Sequence, residues 1–556
     1  MDPFLPELSV PGPADLVQYP VGRGGQPGDL RVPIDWKQNP HLSRSWQMWL
    51  HCWHFMAPLL SGYARAQSDS LLRISSDIAL DWVRQHGKDA KASQFAWYDM
   101  SVASRAAFLG YLLSAPSRVL SGKERRTLTA SAEEHVRWLS NQKNYKPRHN
   151  HGLFSDTGLL MLCKQVPDLK GCADAAPLAH DRFRETLDAT VGVEGVHHEH
   201  STAYHFDVLD LTGRKLAVDP DPEVEKIRDA MRASAPWFLL PDGSYAQLGD
   251  SHGFRGPDWA LSRAAEQFGA RLFAREGYYA VREADSYLLV SAAHHSSAHK
   301  QLDDLSFVLA EGGRNYLVDP GLFGYEKRPM RSYMRSAAAH NTFVIDGHHV
   351  LPSAPYQSAL VAAGEVDGWY AVWAESPVAP ASMRHERVWL YAPREVLVVL
   401  DLVESKDGRD HDHVRYLHFA PELQVETTPR GALVRSANGE ALMSVTDASR
   451  TAPTRVDHFR GRLDPSPHGF VSPSDLTVVP ASVIELWARS GTGEFVTVMD
   501  LTPREESPVS VAKAADGALK VSVGSSDLVL RRSEGRIPMQ LVRDGCEPGG
   551  FSRTCR

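Results

Sequence analysis

Hydrophobic positions in the first half of the chain recur at helical spacing. Leu128, Ala132, Val136 and Leu139 follow one another at intervals of four, four and three, which puts them on one face of a helix. Just ahead, Ser121-Gly122-Lys123-Glu124 has the spacing of a capping box, in which two side chains satisfy the first free N–H groups. Val102, Ala106, Leu109 and Leu113 form a similar stripe one segment earlier. Asp221-Pro222 opens a further helix, with Val224, Ile227 and Met231 on one face. Trp46, Trp49 and Trp53 also share helical spacing; they read first as core and second as indoles on which sugar rings stack.

The pattern changes near residue 275. Short apolar runs at 287–290, 388–391, 396–402 and 528–530 are separated by turn signals such as Ala437-Asn438-Gly439 and Ala515-Asp516-Gly517. Runs at 305–309 and 316–318 flank Glu311-Gly312-Gly313-Arg314, a hairpin with glycines in the turn. Helices first and strands afterwards predict an α+β multidomain chain rather than an alternating α/β fold. The expected division is an extended Pro- and Gly-rich arm at 1–30, a helical domain at 31–274 and a strand domain at 275–556.

At 556 residues the chain is too long for one core. Its net charge of -8 argues against a nucleic-acid binder, so an acidic partner needs locally focused cations. Lys143, Lys146 and Arg148 lie in a stretch without Asp or Glu, and Lys327, Arg328, Arg331 and Arg335 are opposed only by Glu326. No apolar run reaches the length of a membrane span. The N-terminus lacks a basic region followed by an apolar one, so the chain as written reads as cytoplasmic, or as periplasmic or secreted if a leader has been removed. Cys52, Cys163, Cys172, Cys546 and Cys555 make no disulfide framework. They read as free thiols, with Cys546 and Cys555 able to pair in an oxidising compartment.

Around the 311–314 hairpin gather His299, Asp303, Asp319, Tyr325, Arg331, Arg335 and His340. Such a density of imidazole, carboxylate, phenol and guanidinium on one β element predicts a wall of an active site. Ordered motifs run through the whole chain: Trp97-Tyr98-Asp99 with Arg105, Asn150-His151-Gly152, Glu199 through Tyr204-His205, Pro241-Asp242-Gly243 before Gly249-Asp250, His299 through Asp303 to Ser306-Phe307, Asp319-Pro320-Gly321, and His340-Asn341. In this order they resemble the heparinase II/III-like polysaccharide lyases, a group that includes oligoalginate lyases. The resemblance implies an N-terminal (α/α) toroid, an incomplete barrel, followed by a C-terminal antiparallel β-sandwich, with the active site in the cleft between them. It also implies β-elimination on a uronate-containing polysaccharide or oligosaccharide, with a glycosaminoglycan favoured and alginate or a bacterial exopolysaccharide as alternatives. The implied assembly is a monomer or homodimer.

Such a reaction needs the uronate carboxylate neutralised, a base for the C5 proton and an acid for the leaving oxygen. Asn150 is the expected neutraliser, since an amide donates hydrogen bonds without a charge state. His151 is expected as base or second carboxylate contact, Tyr204 as base, acid or both, and His299 as a stabiliser of the enolate or a positioning group. Trp97, Arg105, Lys143, Arg148, His205, Tyr325, Arg331 and Arg335 are expected to contact substrate; arginines can pair with a carboxylate or sulfate in bidentate fashion.

The chemistry requires no cofactor. The resemblance implies a structural divalent metal in the β-domain, held here by Gln301, Asp319 and His340. Gln301 stands where the pattern has a histidine, and a glutamine carbonyl suits calcium better than zinc. Three rival readings remain open. Gly249-Asp250-Ser251-His252-Gly253 matches the nucleophile elbow of serine esterases. Asp303 and Asp304 would be the carboxylates of a glycoside hydrolase, although neighbours on a strand point apart. A non-catalytic protein that binds acidic glycans or assists polysaccharide assembly would use the same fold.

Overall fold

The stripes become helices. A computed structural model describes residues 16, 19–21, 26–86, 93–116, 118–348, 350–351, 354–450, 453–502, 509–513, 519–523, 526–532 and 539–543. Most of the expected 1–30 arm, the turn at 515–517, Cys546 and Cys555 lie outside these residues. In chain order the helices are α1 (Arg44–Cys52), α2 (Ala57–Ala66), α3 (Asp69–His86), α4 (Asp99–Ser114), α5 (Gly122–Ser140), α6 (Asn150–Gln165), α7 (Cys172–Thr190), α8 (Thr202–Val218), α9 (Pro222–Ser234), and the short α10 (Asp258–Ala264) and α11 (Pro329–Met334). The architecture is an incomplete (α/α) toroid followed by antiparallel sheets. Packing divides the chain into a helical unit, Met1–His197, Tyr204–Ala233 and Gly324–Glu326, and a β-rich unit, His198–Ala203, Ser234–Phe323 and Lys327–Arg556.

In the helical unit the local signals act as their chemistry dictates. The Ser121 hydroxyl accepts from Glu124 N–H while the Glu124 carboxylate accepts from Ser121 N–H. Asp221 accepts from the backbone N–H groups of Glu223 and Val224 at the start of α9. The α4 and α5 stripes, with Trp36, Trp46, Trp53 and Trp82, enter one apolar core. Leu16, Tyr19, Val21 and Leu30 of the expected arm are buried in that core too. α4 and α6 approach closely at Gly158, where a Cβ would stand 2.2 Å from the Ala103 carbonyl oxygen. Cys163 near the end of α6 is joined to Cys172 at the start of α7, with Cα atoms 5.2 Å apart. The free-thiol expectation is thus corrected for this pair, because a short connection brings the two helix ends together; Cys52 stays a buried thiol.

The β-rich unit contains a five-stranded antiparallel sheet in the order Gly269–Phe273, Tyr278–Glu283, Ser286–Ser291, Ser306–Glu311, Arg314–Leu317. The hairpin forms as expected: Glu311 pairs with Arg314, and Gly312 and Gly313 both adopt positive φ, which a two-residue turn of this hand demands. An eight-stranded sheet has at its centre Met383–Ala392, Val396–Ser405 and Gly493–Asp500. Val281, Leu288, Val290 and Phe307 of the first sheet share a core with Trp389, Tyr391, Leu397 and Val399 of the second. The opposite face of the second sheet, Val388, Leu390, Val398 and Leu400, is buried as well. Both faces being covered explains why 388–391 and 396–402 read as unbroken apolar runs.

Candidate active site

In the helical unit the first turns of α4 and α6 lie together. α6 starts at Asn150, whose side chain is fully buried. His149 caps the helix by accepting from His151 N–H through Nδ1 at 3.2 Å. Gly152 lets the preceding loop lie on this turn, since a Cβ there would meet the Lys146 carbonyl oxygen at 2.5 Å. That loop delivers Lys146, whose Nζ is 3.0 Å from Asp99 Oδ2. The same Asp99 oxygen is 2.9 Å from His151 Nδ1. Burial raises the Asp99 carboxyl, but its bonds and charge interactions with His151 and Lys146 outweigh this and hold it below the ordinary carboxylate range. Asp99 is a functional candidate that the sequence motifs alone do not single out. Its one sequence signal is a carboxylate at the first turn of a helix.

α8 supplies Tyr204 and His205, which point in different directions. The Tyr204 hydroxyl is 2.9 Å from the hydroxyl of Tyr325, so residues 121 positions apart form one phenol pair. His205 is turned inward, with its ring held by His197 N–H and the Met231 carbonyl, and burial lowers its pKa to about 3. The expectation that His205 touches substrate is therefore corrected. Arg105 is corrected on the same ground. It is fully buried in α4, donating to His51 O, Ala96 O and His135 Nε2. Its guanidinium lies 3.9 Å from the centre of the Trp82 ring. Trp97 packs on this cage, 5.2 Å from the His135 ring and 6.0 Å from Trp82. Helical rotation sets these outcomes, because α4 puts Arg105 on the same face as Val102, Ala106 and Leu109. Lys143 and Arg148 remain exposed on the loop before α6.

In the β-rich unit His299 Nδ1 lies 2.9 Å from the buried Glu199 carboxylate. The backbone around it is tightly defined. His299 has φ 54, its carbonyl accepts from Asp250 N–H, and a Cβ on Gly249 would stand 2.7 Å from that carbonyl oxygen. His200 is buried beside it and accepts from His295 N–H at Nε2. Arg331 and Arg335 are half-exposed at the end of α11, where Arg335 Nη2 reaches the Lys300 carbonyl at 3.4 Å. Ser251 of the elbow-like motif is wholly buried: its Oγ is within hydrogen-bond distance of Leu248 O, Ala203 N and Ser201 Oγ. It sits in a loop without a strand-to-helix turn, so the arrangement an esterase needs is absent there.

The expected metal set is a buried polar core. Asp319 Oδ2 pairs with His340 Nδ1 at 2.9 Å, and Gln301 donates to Asp250 Oδ1 and Gly321 O. Beside them the fully buried Lys300 ammonium is bound to Asp303 and lies 3.9 Å from Asp304. Burial opposes charge on His340, but Asp319 outweighs it and raises the ring above its ordinary value. Gln301 Oε1 and His340 Nε2 are the atoms left for an added group. A glutamine oxygen and an imidazole whose protonated form Asp319 favours, next to the Lys300 ammonium, fit a divalent ion poorly, because the carboxylates already have cationic partners. Among the described residues, no group of three or more His, Cys, Asp and Glu side chains is arranged to hold a metal.

Comparison with known proteins follows the same division. Residues 19–221 match the heparinase II/III N-terminus family, and residues 266–476 match the heparinase II/III-like, C-terminal family. A heparin-sulfate lyase of Pedobacter heparinus is 20% identical over 365 residues, covering 58% of this chain and 54% of that protein. The chain thus spans about half the length of this curated relative. The crystal structure of a heparan sulfate lyase from Pedobacter heparinus aligns over 95% of this chain and 87% of its own, with TM-score 0.65 and 16% identity. The crystal structure of heparinase III aligns over 95% of this chain and 92% of its own, with TM-score 0.76 and 15% identity. At these identities the structural likeness establishes the fold.

Proposed function

This chain belongs to the heparinase II/III-like family, and from that premise we propose that it is a polysaccharide lyase acting on a uronate-containing glycan by β-elimination. The observation that carries the reading is the Tyr204–Tyr325 hydroxyl pair at 2.9 Å. An isolated phenol ionises near pH ~10 and gives up its proton reluctantly. A second hydroxyl that donates to it favours the phenolate and can return a proton. In the proposed reaction Asn150 binds the uronate carboxylate and reduces its charge. Base then removes the C5 proton, the C5–H electrons form the C4–C5 double bond, and the C4–O bond breaks. Tyr204, backed by Tyr325, protonates the departing oxygen. His299, oriented by Glu199, stabilises the enolate. Lys143, Arg148, Arg331 and Arg335 supply the cationic contacts that an acidic chain requires. A glycosaminoglycan is the favoured substrate, since the relatives above carry heparin and heparan sulfate in their names.

No step needs a metal; an ion at Gln301, Asp319 and His340 would be structural. Among the described residues no helix is long and apolar enough to cross a membrane. The Cys163–Cys172 bond supports an oxidising compartment over the cytoplasm. The test is ultraviolet absorbance of unsaturated uronate during incubation with heparan sulfate, heparin, hyaluronate, chondroitin sulfates, alginate and glucuronan. A rise with one substrate that Tyr204→Phe abolishes supports the reading. Reducing ends released without the absorbance would overturn it in favour of hydrolysis, and binding without turnover would overturn it in favour of a glycan-binding protein.

A further inference from the structure

We infer that Asp99 and Lys146 are positioning residues that hold His151 as a neutral imidazole, protonated at Nδ1 and ready to receive a proton at Nε2. This rests on the lyase reading and assigns the C5 base within it.

The hydrogen assignment follows from the partners. His151 Nδ1 is 2.9 Å from Asp99 Oδ2 and 3.2 Å from Lys146 Nζ, while Lys146 Nζ is 3.0 Å from the same Asp99 oxygen. An ammonium has no lone pair, and a carboxylate oxygen cannot donate. If Nδ1 carried no hydrogen it could accept from Lys146 at 3.2 Å, but its lone pair would then face the nearer carboxylate oxygen at 2.9 Å in direct repulsion. Nδ1–H therefore donates to Asp99, and Lys146 donates to the same oxygen. A neutral ring then keeps its acceptor at Nε2, for which no hydrogen-bond partner is found among the described residues.

Charge sets the protonation state. Asp99 alone would favour imidazolium, as carboxylates beside histidine do. Lys146 cancels that charge from 3.0 Å and also stands 3.2 Å from the ring, where a second positive charge is penalised. Among the described residues, two other groups face the ring. Tyr98 packs edge-on with centroids 5.7 Å apart, and burial raises its phenol to about 12, so it remains neutral. His149 packs edge-on with centroids 4.6 Å apart and has its Nδ1 engaged by His151 N–H. Proton transfer from C5 would create an imidazolium whose Nδ1–H is already on Asp99, so that no group has to move to stabilise it. Asp99 thereby limits the cost of charging the ring during the reaction.

The experiment uses the full chain, with Asp99→Asn, Asp99→Glu and Lys146→Met variants that retain the wild-type melting temperature. Two readouts are followed: the pH profile of kcat and KM on the active substrate, and site-resolved carbethoxylation of His151 against pH by peptide mass spectrometry. Asp99→Asn is expected to lower kcat at least about a hundredfold with KM nearly unchanged, because an amide does not enforce the tautomer; Asp99→Glu should recover part of the loss. Lys146→Met is expected to move the acid limb of kcat/KM, and the midpoint of His151 modification, upward by about one pH unit. Wild-type kcat in Asp99→Asn, or an unmoved midpoint in Lys146→Met, would overturn the inference. If the wild type turns over no uronate chain, the lyase reading fails separately, and the modification midpoint still decides whether the two residues control His151.

Discussion

The helical unit should lose stability as pH falls below neutrality, because its core buries three histidines as neutral rings. His51, His86 and His135 surround Arg105 and Trp82. Burial, followed by the charge of Arg105, lowers His51 to about 2 and His135 to about 3. Burial also lowers His86 to about 4, with smaller opposing bonds and charges. Unfolding returns each ring to an ordinary value of about 6.5. The unfolded chain therefore binds more protons, and stability is complete above that value and declines below it. Well below pH 6.5 each ring costs about 1.4 kcal/mol per pH unit. Three rings at pH 5.5 would together remove about 4 kcal/mol, a large part of the ~5–15 kcal/mol net stability typical of a domain. Urea unfolding between pH 7.5 and 5.5, with hydrogen exchange of peptides from α1, α3 and α5 to localise the effect, measures this directly. His86→Phe keeps a ring against Trp82 and removes one titrating group, so the slope should fall by about a third. A change below about 1 kcal/mol over this range would refute the claim that these rings are buried neutral.

Further outcomes follow from named contacts. Gly158→Ala should lower stability by about 1–3 kcal/mol, because the added Cβ meets the Ala103 backbone at 2.2 Å and no side chain can yield; chemical denaturation measures it, and turnover should fall as α4 and α6 part at Asp99 and His151. Replacing Cys163 and Cys172 together by serine should cost about 2.5 kcal/mol, and thiol titration of the unfolded wild type with and without reductant should differ by at least this one pair. Prolonged chelation should leave turnover and melting temperature unchanged, since Lys300 already provides a cation to the buried carboxylates; a drop restored by calcium or zinc would show an ion bound there. Asp401 bridges Arg387 and His385 in the β-rich core, and these partners override burial to hold it at about 2. Asp401→Asn should therefore destabilise by about 3–5 kcal/mol in urea titration. In the wild type the pH-linked part of this, about 2.5 kcal/mol, should be present above pH ~4 and lost as pH falls toward ~2.

Local chemistry made much of the fold legible from the chain alone. The Ser121 capping box, the Asp221-Pro222 start, the apolar stripe of α5 and the Gly312-Gly313 turn each depend on residues within a few positions of one another, so their sequence spacing is also their spatial spacing. The ordered motifs named Asn150, His151, Tyr204 and His299, because residue type is visible in one dimension. Partnership was not. Asp99 meets His151 across 52 positions and Tyr204 meets Tyr325 across 121; only the packing of α4 against α6, and the return of residue 325 to the helical unit, creates those pairs. Orientation was hidden as well. Arg105 and His205 have the right chemistry for an acidic glycan, yet the rotation of their helices points both into the interior. The Cys163–Cys172 bond is not legible in the sequence although the residues are nine apart, since pairing depends on the distance between two helix ends and not on sequence separation. Sequence determines which groups a chain carries and how each short segment bends; which groups share one charge, one proton or one cavity is decided when distant segments exclude water together.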